Sequence, residues 1–205
     1  MPQLDLTRST TPHGFTNFIR SVKGDFSSGG PGPIHFGQLP CGLQNLAGVE
    51  WDIRCYVRLG RKPWEGRLLF PTNVMVQVGQ TCQRIHFLHA SDGEPELWDE
   101  VGRYVVHFAD GSQSGIPIFY RCDLLFSRMA GTHPLALHKS ADLRTRTAVP
   151  AWAGTSSAPQ SQSRVLRLFK FTWDNPNGPQ EVTSIELKSG ISWAAAPFVV
   201  AITVE

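Results

Sequence analysis

The chain has 205 residues, of which 41% are hydrophobic and only 18% charged, and its net charge at pH 7 is +2. A chain of this length buries roughly 70% of its unfolded surface, so its core needs neither disulfides nor a metal. Because the sequence has no basic block, it argues against strong binding to the phosphate backbone of nucleic acids. The 19 Gly and 15 Pro favour many turns over long helices.

Membrane and targeting signals are missing from the sequence. The longest unbroken apolar run, residues 193–202, has ten residues, whereas a membrane-spanning helix needs about 20. The first ten residues contain no apolar signal-peptide core. We therefore expect no membrane association, and either a cytoplasmic chain or a domain excised from a larger protein.

The cysteines are few and widely spaced, at Cys41, Cys55, Cys82 and Cys122. No C-x-x-C pair is present, which excludes zinc ribbons and thioredoxin-like redox motifs. We expect free thiols, with Cys55 buried in a strand, because disulfide scaffolds are much richer in cysteine.

Segments with an alternating apolar pattern dominate the chain and predict about nine or ten β-strands. In residues 49–59 every second residue from Val49 to Leu59 is apolar and is expected on one face. The dipeptide Asp110–Gly111 separates two such segments and predicts a tight hairpin, because both turn positions favour positive φ. The other segments are 73–78, 81–89, 102–109, 115–120, 165–173, 182–188 and 197–204.

The remaining patterns are weaker. In 197–204 the alternation places Phe198, Val200, Ile202 and Val204 on one face, and residues 174–179 predict a turn. Two short helices at most are expected, over 16–22 and 134–144, and 124–147 and 154–163 are weakly patterned. No repeat or linker is visible.

Together these segments predict a single antiparallel β-sandwich or closed barrel over 1–205. Residues 1–38 would form an N-terminal strand and an irregular segment packed on it. The half-polar alternation suggests sheets with one solvated face.

Signatures of nucleotide binding, zinc proteolysis and α/β-hydrolase chemistry are absent. His86 and His89 form an H-x-x-H pair, but residues three apart in a strand point to opposite faces. We interpret both as structural, even though His107 could lie across from either one, because metal sites need three or four converging ligands.

The loop 92–100 contains five carboxylates in nine residues. We expect a solvated hairpin loop. One alternative is a structural Ca²⁺ held by Asp92, Glu94 and Asp99, since calcium prefers oxygen ligands. Another is a glycosidase acid pair, although nothing in the sequence indicates the burial that such an acid requires.

Two of the six tryptophans lie in polar, turn-rich loops rather than in strand patterns: Trp64 in 60–66 and Trp98 in the acidic loop. An exposed indole offers an apolar face next to hydrogen-bonding groups, which complements the C–H faces and hydroxyls of a sugar ring. The alternative is that each indole folds back to cover the core.

Several stretches carry a resemblance to a known family, most specifically F-T-W-D-N-P (171–176) and A-P-F-x-x-A-I-T-x-E (196–205). The others are 39–54, 84–90, 101–118, 149–154 and 167–187. On these residues the chain resembles galactose-binding-like, jelly-roll β-sandwich accessory modules of multidomain proteins from environmental bacteria. Similar modules carry an aromatic segment, often with Trp, where this chain has 119–126 without Trp. The resemblance transfers no catalytic residues.

The leading hypothesis is a non-catalytic carbohydrate-binding module whose ligand contacts are Trp64, Trp98, Tyr120 and Arg121. Arg121 would bind hydroxyls or a uronate carboxylate through its fork of donors. The second hypothesis is a protein-interaction or structural module, with other domains of a larger protein or a second copy as partner. The third is a polysaccharide hydrolase or lyase using His107, Tyr120 and Asp123. Apart from the calcium alternative, no cofactor is expected.

Overall fold

A computed structural model describes residues 1–8, 10, 19–21, 38–60, 70–96, 98–124, 128–130, 147–155, 164–190 and 195–205. Within these ranges the chain forms thirteen strands and one 3-10 turn, Leu6–Arg8. The strands are β1 (Ile19–Ser21), β2 (Gly42–Leu46), β3 (Val49–Ile53), β4 (Cys55–Arg58), β5 (Asn73–Cys82), β6 (Arg84–Ser91), β7 (Glu100–Phe108), β8 (Gln113–Phe119), β9 (Arg128–Ala130), β10 (Val149–Thr155), β11 (Arg164–Asp174), β12 (Gln180–Ser189) and β13 (Pro197–Val204).

The strands form two antiparallel sheets and a hairpin. The large sheet has the order β1-β4-β13-β6-β11-β10, with β9 also pairing β11, and the small sheet has the order β5-β12-β7-β8. The hairpin consists of β2 and β3. The predicted all-β antiparallel sandwich is thus confirmed, and the arrangement is compatible with a jelly roll.

Two hydrophobic clusters cover the two faces of the large sheet. The main core joins it to the small sheet and contains Phe87 and Tyr104. The outer cluster contains Trp51 of the hairpin and Leu88. Because the neighbours Phe87 and Leu88 belong to different clusters, the large sheet is buried on both faces. The expectation of one solvated face therefore applies to the small sheet only, where β12 alternates between buried and more exposed residues.

The segment 49–59 differs from the prediction of one strand with one apolar face. The ladder breaks at Arg54, between β3 and β4. Trp51 and Ile53 pack in the outer cluster, whereas Cys55 and Val57 pack in the main core. Apolar residues therefore alternate through the whole segment, although its first half, β3, belongs to the hairpin and its second half, β4, belongs to the large sheet.

The last strand also changes face. A register shift lies between Val199 and Ala201 in the pairing of β13 with β6. Phe198 and Val200 belong to the outer cluster, and Ile202 and Val204 belong to the main core. The prediction that these four share one face is wrong, because the extra residue of a bulge reverses the phase of the alternation.

Both predicted turns are present. In the β7–β8 hairpin only Gly111 has a positive φ, +84°, so the expectation of positive φ at both turn positions is wrong for Asp110. The turn at 174–179 connects β11 of the large sheet to β12 of the small sheet. The helical prediction over 16–22 is wrong for 19–21, which form β1, and the predicted helix over 134–144 lies outside the described residues.

The N-terminal residues contact both sheets. Leu4 is buried, and its backbone amide donates to the carbonyl oxygen of Ile202 over 2.9 Å. Thr10 bridges Met75 of β5, and β1 pairs with β4. The prediction of one domain over 1–205 stays a prediction.

The four cysteines are free, and Cys55 is buried as expected. Over the described parts of the chain, no helix has the length and apolar character needed to cross a bilayer.

Candidate functional site

The loop that joins β6 to β7 and the turn that follows β8 lie side by side at one end of the sandwich. The amide of Trp98 donates to the carbonyl oxygen of Tyr120 over 3.3 Å, and the amide of Tyr120 donates to that of Asp99 over 2.9 Å. These two bonds extend the β7–β8 ladder beyond its strands. They place the backbone of the exposed Trp98 beside that of Tyr120, the residue before Arg121, and we call Trp98 and Arg121 together the Trp98–Arg121 surface.

Both residues of the Trp98–Arg121 surface have left-handed backbone conformations. The φ angle is +71° at Trp98 and +63° at Arg121, and Ala47 is the one other non-glycine residue with positive φ among those described. Such a conformation costs an L-residue roughly 1–2 kcal/mol. Surrounding hydrogen bonds must hold it, including that from the amide of Arg121 to the carbonyl oxygen of Leu124, at 2.9 Å. Residues in such conformations concentrate at functional sites.

A buried polar chain lies beneath the turn. The ring nitrogens of His89 lie 2.7 Å from the Tyr104 hydroxyl and 2.9 Å from the carbonyl oxygen of Asp123. A carbonyl oxygen only accepts, so His89 Nε2 carries the hydrogen and Nδ1 accepts from Tyr104. Burial lowers the pKa of His89 to about 4 and raises the pKa of Tyr104 well above its ordinary value. Both side chains are therefore neutral at pH 7. The bond from His89 to the carbonyl oxygen of Asp123 fixes the turn to the core.

The carboxylate of Asp123 ties two further segments to the turn. One oxygen accepts the amide of Phe119 over 2.8 Å, and the other accepts the hydroxyl of Thr147. Thr147 immediately precedes Ala148 and β10. The turn is thus fixed to β6, to β8 and to the segment entering β10.

The charges around this end are mixed. Glu94, Glu96 and Asp99 are exposed, whereas Arg167 of β11 is buried with its guanidinium 5.6 Å from the centre of the Phe169 ring. Burial lowers the pKa of Arg167, and the electrostatic effect of Tyr120 and Glu94 opposes that shift.

Three of the four predicted ligand residues come together here. Trp98 is 49% exposed and Arg121 is half-buried. Tyr120, which precedes Arg121, is only 3% exposed. The Tyr120 ring belongs to the main core. Trp98 and Arg121 are therefore at least partly open to solvent, while Tyr120 contributes backbone hydrogen bonds to their loops.

The fourth residue, Trp64, lies outside the described residues, and its role stays a prediction. Its segment leaves and re-enters the described chain at Gly60 and Phe70, and the amide of Gly60 donates to the carbonyl oxygen of Pro71 over 2.7 Å. The Arg58 guanidinium lies 4.2 Å from the centre of the Phe70 ring and pairs with Asp92. Arg58 thus contacts both Phe70 and the first residue of the acidic loop.

The three residues predicted to hold calcium have different surroundings. Asp92 is buried and its carboxylate forms an ion pair with Arg58, whereas Glu94 and Asp99 are exposed. Asp99 accepts the amide of Glu96 over 3.2 Å. In the described ranges, no three side chains of His, Cys, Asp or Glu are grouped as metal ligands. The calcium alternative, which stays a prediction, would rest on Glu94 and Asp99.

The residues of the enzyme hypothesis are not assembled. Tyr120 and Asp123 lie beyond the Glu100 end of β7, and His107 lies roughly 23 Å farther along that strand at the rise of a β-strand. The Nε2 atom of His107 is instead 3.6 Å from Glu186 Oε2.

His86 and His89 do not meet, in agreement with the structural interpretation. His86 lies 3.2 Å from Glu205 Oε2 and 2.9 Å from Thr172 Oγ1. Its ring packs edge-on against Trp51 of the hairpin, on the face of the large sheet opposite His89.

Sequence reasoning missed the supports of the site. It did not identify the His89–Tyr104 bond, the buried Arg167 or the positive φ angles of Trp98 and Arg121. The only signal was indirect, because His89 and Tyr104 both lie in apolar alternating segments where a polar side chain needs a partner.

The chain matches no protein-family model, and no curated protein is significantly similar to it.

Proposed function

We propose that this protein is a non-catalytic, galactose-binding-like module that binds a poly- or oligosaccharide at the Trp98–Arg121 surface. The observation that carries the proposal is that Trp98 is 49% exposed, on a left-handed backbone that is bonded through its amide to Tyr120. An apolar ring of this size that is not used in the core is available to a ligand.

The chemistry of the two side chains suits a sugar. The indole face would stack on the C–H face of a pyranose, and Nε1–H would donate to a hydroxyl. Arg121 would supply several donors in one plane, suited to neighbouring hydroxyls or to a carboxylate. Because the backbone of both residues is fixed before binding, association does not have to order these two loops, and the entropy lost is that of the side chains.

A protein-interaction module is the second candidate. Leu43 on β2 is 62% exposed and Val149 at the start of β10 is 45% exposed. Such residues would mark a protein interface if they belonged to one contiguous apolar patch of several hundred Å². A continuous interface of this kind would bury about 1,200–2,000 Å² in a stable complex.

The test is a glycan array with the intact chain, followed by calorimetry on the glycans that bind. Trp98→Ala is the test variant, and Leu43→Ala is the control because it removes an exposed apolar side chain from the hairpin. We expect Trp98→Ala to abolish binding and Leu43→Ala to leave the affinity unchanged. Failure to bind any glycan, or unchanged affinity in Trp98→Ala, would contradict the proposal.

A further inference from the structure

We propose that Asn177 is a site of spontaneous deamidation, where the side-chain amide becomes aspartate or isoaspartate through a cyclic imide. The site lies in the turn between β11 and β12 and is independent of the proposed carbohydrate site. It is carried by the position of Asn177 immediately before Gly178 in an exposed turn.

The turn presents Asn177 with little restraint on its side chain. Asn177 is exposed, and among the described residues no hydrogen bond involves its side-chain amide; its backbone amide donates to Asn175 Oδ1 over 3.1 Å. Gly178 has a φ of +78° and open space where a Cβ would lie. The backbone nitrogen of Gly178 is thus not shielded by a side chain of its own.

The other asparagines in the described ranges lack this combination. Asn175 is buried and precedes Pro176, whose nitrogen carries no hydrogen and cannot close the ring. Asn73 lies within β5, and its Nδ2 donates to Glu186 Oε1 over 3.0 Å. Asn45 is exposed but lies within β2, where it precedes the bulky Leu46. Asn177 is therefore expected to react first.

The reaction needs only water as a co-reactant and releases ammonia. The nitrogen of Gly178 loses its proton and attacks Cγ of Asn177, the C–N bond to the side-chain amide breaks, and ammonia leaves. Water then opens the five-membered imide at either carbonyl carbon, giving aspartate or isoaspartate. The amide of Gly178 donates to the carbonyl oxygen of Asn175 over 3.1 Å, so this bond must break before ring closure.

The product changes the connection between the two sheets. Isoaspartate adds one carbon to the backbone of a turn held by Asn175, whose amide donates to the carbonyl oxygen of Gln83 over 2.8 Å. The new carboxylate also adds a negative charge to the turn that contains Asp174, which already forms an ion pair with Arg84. We expect the aged protein to unfold at a lower temperature than the fresh protein.

Incubation of the folded chain at pH 8.5 and at pH 6, followed by peptide mass spectrometry and isoaspartate detection, tests the proposal. We expect the mass change from amide to acid at Asn177 well before Asn45 or Asn73, and faster at pH 8.5 because the attacking nitrogen must lose a proton. The Asn177→Gln variant should keep its mass and its melting temperature through the same incubation. An unmodified Asn177, or equal conversion at Asn45 and Asn73, would overturn the proposal.

Discussion

The backbone amide of Trp98 lies 3.3 Å from the carbonyl oxygen of Tyr120, and this bond joins two loops that are more than twenty residues apart in the chain. A largely exposed residue is thus fixed by a largely buried one. Because the contact is made by backbone atoms, we expect it to persist when the Trp98 side chain is replaced, so that variants at this position keep the loop.

The left-handed conformation of Arg121 predicts that stability and binding can be separated. Glycine adopts a φ of +63° without the steric cost that alanine has. We expect Arg121→Gly to be about 1 kcal/mol more stable than Arg121→Ala in urea unfolding, and both variants to lose affinity for the sugar. An equally stable pair would show that the turn does not constrain this residue.

Acid should destabilise the protein through His89. Its pKa is near 6.5 when unfolded and about 4 when folded, so between these values the unfolded chain binds the extra proton. Stability is therefore complete above pH 6.5 and falls as the pH drops towards 4, by on the order of 3 kcal/mol. Burial also lowers the pKa of His86, which acts in the same direction.

The variant His89→Gln isolates this contribution, because its amide can donate to Asp123 and accept from Tyr104. Urea unfolding of both proteins at several pH values from 7 to 4 is the measurement. The variant should lose less stability than the wild type over this range. Identical pH profiles would show that His89 is not the group responsible.

The β2–β3 hairpin offers a stabilising substitution. Ala47 and Gly48 connect the strands with φ angles of +51° and +77°, and two-residue turns of this kind prefer Asn before Gly. We expect Ala47→Asn to raise the free energy of unfolding by roughly 0.5–1 kcal/mol. The bond from Lys170 Nζ to the carbonyl oxygen of Ala47, at 2.7 Å, should persist. Loss of stability on this change would contradict the assigned turn.

Two glycines of the β7–β8 hairpin should respond oppositely to alanine. A Cβ at Gly102 would lie 2.5 Å from the carbonyl oxygen of Lys188 and 2.9 Å from Pro197 Cγ, whereas at Gly115 the nearest atoms are 3.8 Å away, on Arg103. We expect Gly102→Ala to cost about 1–3 kcal/mol and Gly115→Ala to be neutral or slightly stabilising. Thermal unfolding of the two variants compares them directly, and equal melting temperatures would be inconsistent with this packing.

The alternation of apolar and polar residues predicted those parts of the fold in which one face of a strand is exposed to solvent. The hairpin at Asp110–Gly111 and the alternation from Ser184 to Lys188 match the small sheet. At the start of that segment the expectation of an inward Thr183 is wrong, because a register shift between Val182 and Ser184 buries Val182 and leaves Thr183 exposed. The large sheet is covered on both sides, so every residue of β13, the polar Thr203 included, is buried, and the strand shows no alternation between buried and exposed residues. The break at Arg54 and the register shift after Val199 then depend on tertiary pairing, which a single-residue pattern does not encode.

In the candidate site, the sequence likewise indicated the surroundings of single residues but not the contacts between strands. The polar surroundings of Trp98 correctly indicated exposure as one of two alternatives, because nearby charges keep a loop in water. Tyr120 follows an alternating strand directly, and its burial continues that strand pattern into the turn. The buried His89–Tyr104–Asp123 chain needs the register of β6 against the small sheet, which no local signal supplies.

The most direct test of the proposed binding surface is an NMR titration that follows the indole N–H resonances of the tryptophans. The Trp98 resonance is assigned by its absence in Trp98→Ala, and the buried Trp51, whose Nε1 donates to the carbonyl oxygen of Leu46 over 3.0 Å, serves as the internal control. If the surface binds sugar, a glycan selected from the array shifts the Trp98 resonance in a saturable way and leaves that of Trp51 in place. Binding that leaves the Trp98 resonance unmoved would contradict it.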